Sequence, residues 1–179
     1  MGKQKKETLA VAWCDNGIVD GKFMEGVVDT LINSGVEFCG SLRAHGNQIA
    51  QQREMLVNRW YDNNKSDWLL WLDSDIMITP EKFLKLWKRR DAVEIPLLTG
   101  VYFTSNEPEQ PLMKPLATVY EFAEAEFGIG IRRLDPLPKD AFIKVSAAGM
   151  GFCLMHRSVI TRIKKALPGV TFFAEVGAN

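Results

Sequence analysis

The segment Trp68-Leu-Leu-Trp-Leu72 restricts the fold more than any other part of the chain. Its side chains are apolar on both alternating faces, the pattern of a central strand covered by helices on each side rather than of a strand with one wet face. What surrounds it agrees. Leu9 to Cys14 predicts a strand ending in the turn cluster Asp15-Asn16-Gly17, and Asp20 to Asn33 predicts a helix. In that helix Phe23, Met24, Val27, Val28, Leu31 and Ile32 recur at helical spacing, and Ser34-Gly35 stops the pattern. Val36 to Leu42 reads as a second strand, Gly46-Asn47 as a turn, and Gln48 to Trp60 as a second helix. After the Trp68 strand, Thr79-Pro80-Glu81 supplies a hydroxyl cap, a proline at the first helical position and an acid in the first turn. That helix is expected to end on Lys88-Arg89-Arg90, cations that suit its carbonyl end. Strand and helix thus alternate three times, the signature of an α/β fold, Rossmann-like, with a mostly parallel central sheet flanked by helices.

The second half predicts extra short strands. Leu97 to Phe103 is one, followed by a polar, proline-bearing loop from Thr104 to Pro115, then Ala117 to Phe122, Phe142 to Ala147 and Phe152 to Met155. A Ser158-capped helix closes the series, with Val159, Ile160, Ile163 and Leu167 on one face. Neither a repeat nor a low-complexity tract is present, so residues 1–179 read as one domain.

Charge and composition exclude several function classes. Twenty-two Lys and Arg cancel 22 Asp and Glu, and pI ≈ 6.7 gives no broad basic field for a nucleic-acid backbone. The longest apolar runs fall far short of the ~20 residues of a membrane span, and Leu9 to Trp13 is too short for a signal-peptide core. Met1-Gly2 is followed by Lys6 where myristoylation wants Ser or Thr. Cys14, Cys39 and Cys153 lack Cys-x-x-Cys spacing and are expected as small buried hydrophobes in a reducing cytoplasm.

Two carboxylates, Asp73 and Asp75, follow the central strand directly. Ligands of open α/β sheets lie in the crevice outside the carboxyl ends of the strands, so both acids are aimed where a ligand would sit. Neighbouring anions repel unless a cation joins them, and hard oxygen ligands suit Mg²⁺ or Mn²⁺ bridging to a diphosphate. Arg53 falls four residues after Ile49 and three before Leu56, on the stripe of Ile49, Leu56, Val57 and Trp60. A guanidinium on an inward stripe needs an acid or a phosphate, so Arg53 is expected to hold Asp73, Asp75, a bound diphosphate, or both kinds of partner. In Ser146-Ala-Ala-Gly149-Met-Gly151-Phe152 the two glycines permit close backbone approach, to a ligand or to a neighbouring strand. Neither this segment nor Gly128-x-Gly130 is a dinucleotide fingerprint, and there is no Gly-Lys-Ser/Thr phosphate loop. His45 and His156 lack an i, i+4 partner and are expected as surface or turn residues.

Taken in order, these segments resemble a nucleotide-sugar-dependent glycosyltransferase of the GT-A fold, in the family-two-like group of small bacterial and phage-type members. The resemblance runs through Leu9 to Gly17, Gln52-Arg53-x-x-Leu56-Val57, Asp73-Ser74-Asp75, Leu98 to Phe103 and the Gly149-x-Gly151-Phe152 strand with its helix. It implies transfer of a sugar from a nucleoside-diphosphate sugar to an acceptor: a glycan, a lipid-linked sugar, a protein or a modified nucleobase. By the same resemblance Asp15 would contact the nucleobase, Arg53 the diphosphate side, and Gly149 and Gly151 the donor. Asp73 and Asp75 would face ribose and metal, with Asp75 the direct ligand. Such enzymes place the catalytic base beyond the Gly-x-Gly strand and its helix; Glu175 is the only acid after Thr171, so the base is expected beyond Asn179 with part of the acceptor region. Two rivals share these features. A non-catalytic sugar-nucleotide-binding module would keep the pocket alone, and a phosphotransferase of the haloacid-dehalogenase type would use Asp73 as nucleophile but carry its Asp-x-Asp on the first strand.

Overall fold

The computed structural model describes residues 6–46, 48–104, 115–125 and 128–173. Its main sheet uses β1 (Thr8–Asp15), β2 (Glu37–His45), β3 (Trp68–Leu72), β4 (Leu97–Thr99) and β10 (Phe152–His156) in the order β2-β1-β3-β10-β4. β1 runs parallel to β2 and β3, and β10 runs antiparallel to β3 and β4, so the sheet is mostly parallel, as expected. β3 sits in the middle, and all five of its residues are buried. Among the described residues no helix is long and apolar enough to cross a membrane.

Helices cover both faces. Leu9, Val11, Trp13, Leu70 and Leu72 pack with α1 (Gly21–Asn33) and α3 (Pro80–Trp87) through Phe23, Val27, Phe83 and Trp87. On the other face Ala10, Ala12, Leu69 and Trp71 meet α2 (Ile49–Asn63) and α4 (Arg157–Ala166) through Leu56, Val57, Trp60 and Ile160. Each fully buried Leu or Val contributes about 1.5–3 kcal/mol, which makes the two-sided apolar strand the anchor of both layers. The ends of α1 and α3 follow the sequence: the Asp20 side chain accepts from Lys22 N, Gly35 takes φ 66° beyond Ser34, and Thr79 caps Pro80 at the first position.

Several boundaries differ. β2 continues to His45, and α2 runs on to Asn63. Val28 and Ile32 of α1 stay largely exposed, because the helix needs only Phe23, Val27 and Thr30 to meet the sheet. α3 stops at Trp87, before its three cations. His156, not Ser158, caps α4: its Nδ1 accepts from Ser158 N, while Ser158 Oγ donates to Ala92 O. The expected strand from Leu97 to Phe103 breaks at Gly100, where a Cβ would lie 2.1 Å from the Phe152 ring; β5 (Phe103–Thr104) then pairs with β6 (Leu116–Ala117). β7 (Val119–Ala125) forms a hairpin with β8 (Gly128–Arg133), which the sequence reading left out. The strand expected over Phe142 to Ala147 shrinks to β9 (Ala147–Ala148), and residues 138–144 form an exposed loop. Cys14 and Cys153 are buried as expected, whereas Cys39 is exposed on edge strand β2. Glu175, Asn47 and most of the Thr104 to Pro115 loop lie outside the described residues.

Candidate functional site

The carboxyl ends of β1, β2 and β3 open onto a cleft of about 630 Å³, within the size range of small-molecule sites. Asp15 and Ile18 line it from the end of β1 and the loop beyond, Gly46 from the end of β2, Gln52 and Arg53 from α2, and Asp73, Ser74 and Asp75 from the end of β3. The parallel arrangement brings these tips to one end, because each parallel strand must be followed by a return crossover.

Asp73 is the best-held acid. Its backbone N–H donates to Gly151 O at 2.8 Å, and its Oδ1 accepts from Arg53 Nη2 at 2.7 Å. The inward reading of Arg53 thus meets one of its expected partners, across 20 residues of chain. Ile49 does not share the core with it; that side chain is half exposed and lines the cleft, and Gln52 takes the buried place, its Nε2 donating to Gly46 O. Asp75 is exposed, and among the described residues its carboxylate has no hydrogen-bond or ion-pair partner. One acid of the pair is therefore fixed and the other is available.

Asp15 is buried, at 7% exposure, and is fully engaged. Arg43 grips it as a fork, Nε to Oδ2 at 2.6 Å and Nη2 to Oδ1 at 2.8 Å, and Gly17 N donates to Oδ1 at 2.7 Å. The Arg43 fork and the Gly17 amide hold its carboxyl below the usual carboxylate range, against the opposing effect of burial. Arg43 escaped the sequence reading because nothing local marks it. It meets Asp15 only through the parallel register that sets Trp13 beside Arg43 and Asp15 beside His45.

Gly151 stands beside Asp73 and Gly149 beside Tyr102 and Thr118, and their small size answers to packing. A Cβ on Gly151 would fall 2.8 Å from Asp73 Oδ2 and 2.8 Å from Tyr102 Cζ; one on Gly149 would fall 2.2 Å from the Tyr102 hydroxyl. Gly151 N donates to that hydroxyl at 3.1 Å, so Tyr102 buttresses the turn that holds the Asp73 backbone. Tyr102 was legible only as part of the Leu98 to Phe103 segment. Beneath the site, burial pushes the Cys14 thiol up to about 11 and the Cys153 thiol up to about 12, despite the nearby Arg53 cation, so neither is a nucleophile at neutral pH.

Among the described residues no three His, Cys, Asp or Glu side chains gather as a metal cage. His45 is exposed at the end of β2, and His156 is spent on its cap and on the Trp68 ring, 4.9 Å away. Among the described residues, the cleft supplies the two carboxylates of Asp73 and Asp75 to a cation. That donor set fits Mg²⁺ or Mn²⁺, which take one or two carboxylates and complete their shell with water and substrate phosphate.

No protein-family model matches the chain, and no curated protein does. Among solved structures, A197 from STIV is similar over 89% of this chain and 69% of its own, at 20% identity and a TM-score of 0.50. A glycosyltransferase involved in the glycosylation of the major capsid of PBCV-1 aligns over 91% of this chain and 69% of its own, at 13% identity and a TM-score of 0.36. The first likeness shows a shared fold and nothing finer; the second is too distant to argue from.

Proposed function

We propose that this protein is a glycosyltransferase that binds a nucleoside-diphosphate sugar in the cleft, together with Mn²⁺ or Mg²⁺, and passes the sugar to an acceptor. One observation carries the reading: at the tip of the central strand Asp73 is locked to Arg53 while Asp75 beside it faces the cleft without a partner. Arg53 holds one oxygen of Asp73 and leaves Asp75 and the second Asp73 oxygen for a cation shared with a diphosphate. Asp15 and Arg43 leave no net charge at their end of the cleft, and Arg53 balances Asp73, so Asp75 leaves the floor anionic. A diphosphate would be repelled there unless a divalent cation accompanied it.

Asp75 would be the direct ligand of that cation and Asp73, through its second oxygen, a further one. Bound there, the ion would neutralise charge growing on the departing nucleoside diphosphate. Arg53 would keep Asp73 in place and offer its remaining N–H groups to phosphate oxygens. Asp15, its side chain only 1% exposed and its carboxylate held by Arg43 and Gly17, would shape the nucleobase end of the cleft through that pair rather than by a free acceptor. Gly149 and Gly151 would act on the donor side indirectly, by leaving room for the Tyr102 ring that supports the Asp73 turn. The acceptor is one of a glycan, a lipid-linked sugar, a protein or a modified nucleobase, and no described residue is assigned as its base.

The test is a thermal-shift screen of nucleoside-diphosphate sugars with and without Mn²⁺, run on the parent and on Asp75→Asn. A binding donor raises stability by about 2.7 kcal/mol at a hundredfold excess over Kd. The parent should respond to at least one donor only with the metal, and Asp75→Asn should not respond. Equal responses of parent and variant, or none to any donor, overturn the reading; binding without transfer or hydrolysis would leave a binding module rather than an enzyme.

A further inference from the structure

Overall neutrality conceals a basic strip on the surface. Lys82 and Lys85 stand on the face of α3 turned away from the core, Lys88 and Arg89 continue from its end as cap and turn, and all four are exposed. The loop 138–144 lies beside this segment: the Arg89 guanidinium stands 5.1 Å from the Phe142 ring, and the Lys85 ammonium, held up mainly by its ion pair with Glu81 at 2.9 Å, also feels the Asp140 carboxylate. Every residue of that loop is exposed, including Phe142 at 46% and Ile143 at 42%, with Lys139 and Lys144 on either side of them. Residues 79–90 and 138–144 together carry six exposed cations against Asp140 and Glu81, the latter paired with Lys85 on the exposed face of α3. Arg90 is not among the six, since it is spent on Glu7 and the Trp87 ring.

We propose that this strip, α3 with the loop 138–144, docks on an anionic lipid bilayer. The chemistry favours a bilayer over other acidic partners. Adjacent Phe and Ile side chains at a loop tip are costly in water and gain by entering the acyl boundary, while lysines beside them stay with the headgroups. Five of the six cations are lysines, which attract a diffuse anionic surface by charge and need no fixed geometry. Phosphates of a nucleic acid or carboxylates of a peptide would draw the same lysines but would leave Phe142 and Ile143 in water, whereas a bilayer buries them. The strip begins at the cleft: Lys82 Nζ donates to Met77 O at 3.5 Å, and Met77, itself exposed, follows Asp75 by two residues. The docking face stands without the glycosyltransferase reading. Joined to that reading, it selects the lipid-linked sugar among the acceptors, because the cleft would open at the membrane surface.

Co-sedimentation of the intact chain with vesicles, without donor or metal, tests the face alone. Vesicles of phosphatidylcholine mixed with phosphatidylglycerol should bind the protein, pure phosphatidylcholine vesicles should not, and raised salt should release it. Lys139→Gln with Lys144→Gln should weaken binding about thirtyfold, at the usual contribution of a surface charge near such lipids. Phe142→Ala with Ile143→Ala should weaken it roughly tenfold with charge unchanged. All four positions are exposed, so circular dichroism should show every variant folded. Binding indifferent to the anionic lipid, variants that bind like the parent, or tighter capture by a DNA duplex or a polyglutamate peptide than by vesicles would overturn the proposal. Vesicle binding with no donor response would uphold the face and sink only the glycosyltransferase reading.

Discussion

Gly151→Ala adds one methyl group at the most crowded point of the site. The new Cβ would stand 2.8 Å from both Asp73 Oδ2 and Tyr102 Cζ, and 3.0 Å from the Tyr102 hydroxyl. Neither neighbour is free to retreat. Asp73 is held at 2.7 Å by Arg53 and by its own N–H to Gly151 O, and Tyr102 takes the Gly151 N–H and, through its carbonyl, Thr118 N. Overpacking of this kind costs about 1–3 kcal/mol. In a chain of this size about 2 kcal/mol lowers Tm by roughly 4–8 °C. The donor response should fall as well, because the carboxylate that moves belongs to the cation pair. A tenfold rise in Kd cuts the ligand stabilisation from about 2.7 to about 1.4 kcal/mol at a fixed donor concentration. Thermal denaturation with and without donor and Mn²⁺ reads both quantities. The double variant Asp73→Ala with Gly151→Ala separates clash from general damage: with the carboxylate gone, its stability loss should be smaller than the sum of the two single losses. Strict additivity, or a Gly151→Ala protein as stable and as responsive as the parent, would refute the close approach.

Three further outcomes follow from other parts of the structure. The Asp15 carboxyl, depressed in the folded state, contributes stability above its unfolded value of about 3.9, and that contribution is lost as pH falls through the folded value. Arg43→Ala should therefore lower Tm at neutral pH, with the gap to the parent narrowing below about pH 4; a gap that stays constant with pH would show the pair to be inert. Gly26→Ala should destabilise although alanine is favoured over glycine by about 1 kcal/mol in a helix interior, because its Cβ would lie 2.6 Å from the Ile78 carbonyl oxygen; a rise in Tm would count against that contact. A thiol reagent should titrate Cys39 alone in the native protein, with Cys14 and Cys153 reacting only on denaturation; rapid native reaction of Cys14 would contradict its raised pKa.

The amino-acid sequence by itself determined the layers and which residues stand at the carboxyl edge where the candidate cleft opens. An apolar strand with no wet face has to lie in the middle of a sheet with helices on both sides, and acids that follow it directly have to stand at the sheet's carboxyl edge. Helical spacing placed Arg53 within reach of that edge, and the caps of α1 and α3 were local chemistry that needed no partner. Tertiary structure alone decided the rest. The Asp15–Arg43 fork depends on the β1–β2 register, the antiparallel entry of β10 on pairing with β3 and β4, and the need for Gly149 and Gly151 on where Tyr102 comes to rest. Residues 142–145 have the composition of a strand but join no ladder, pairing beginning only where Ser146 N donates to Tyr120 O, and so Phe142 and Ile143 stay in solvent. The division has one cause: periodicity and capping act over a few residues along the chain, whereas register, close approach and exposure are set by groups that folding brings together from far apart.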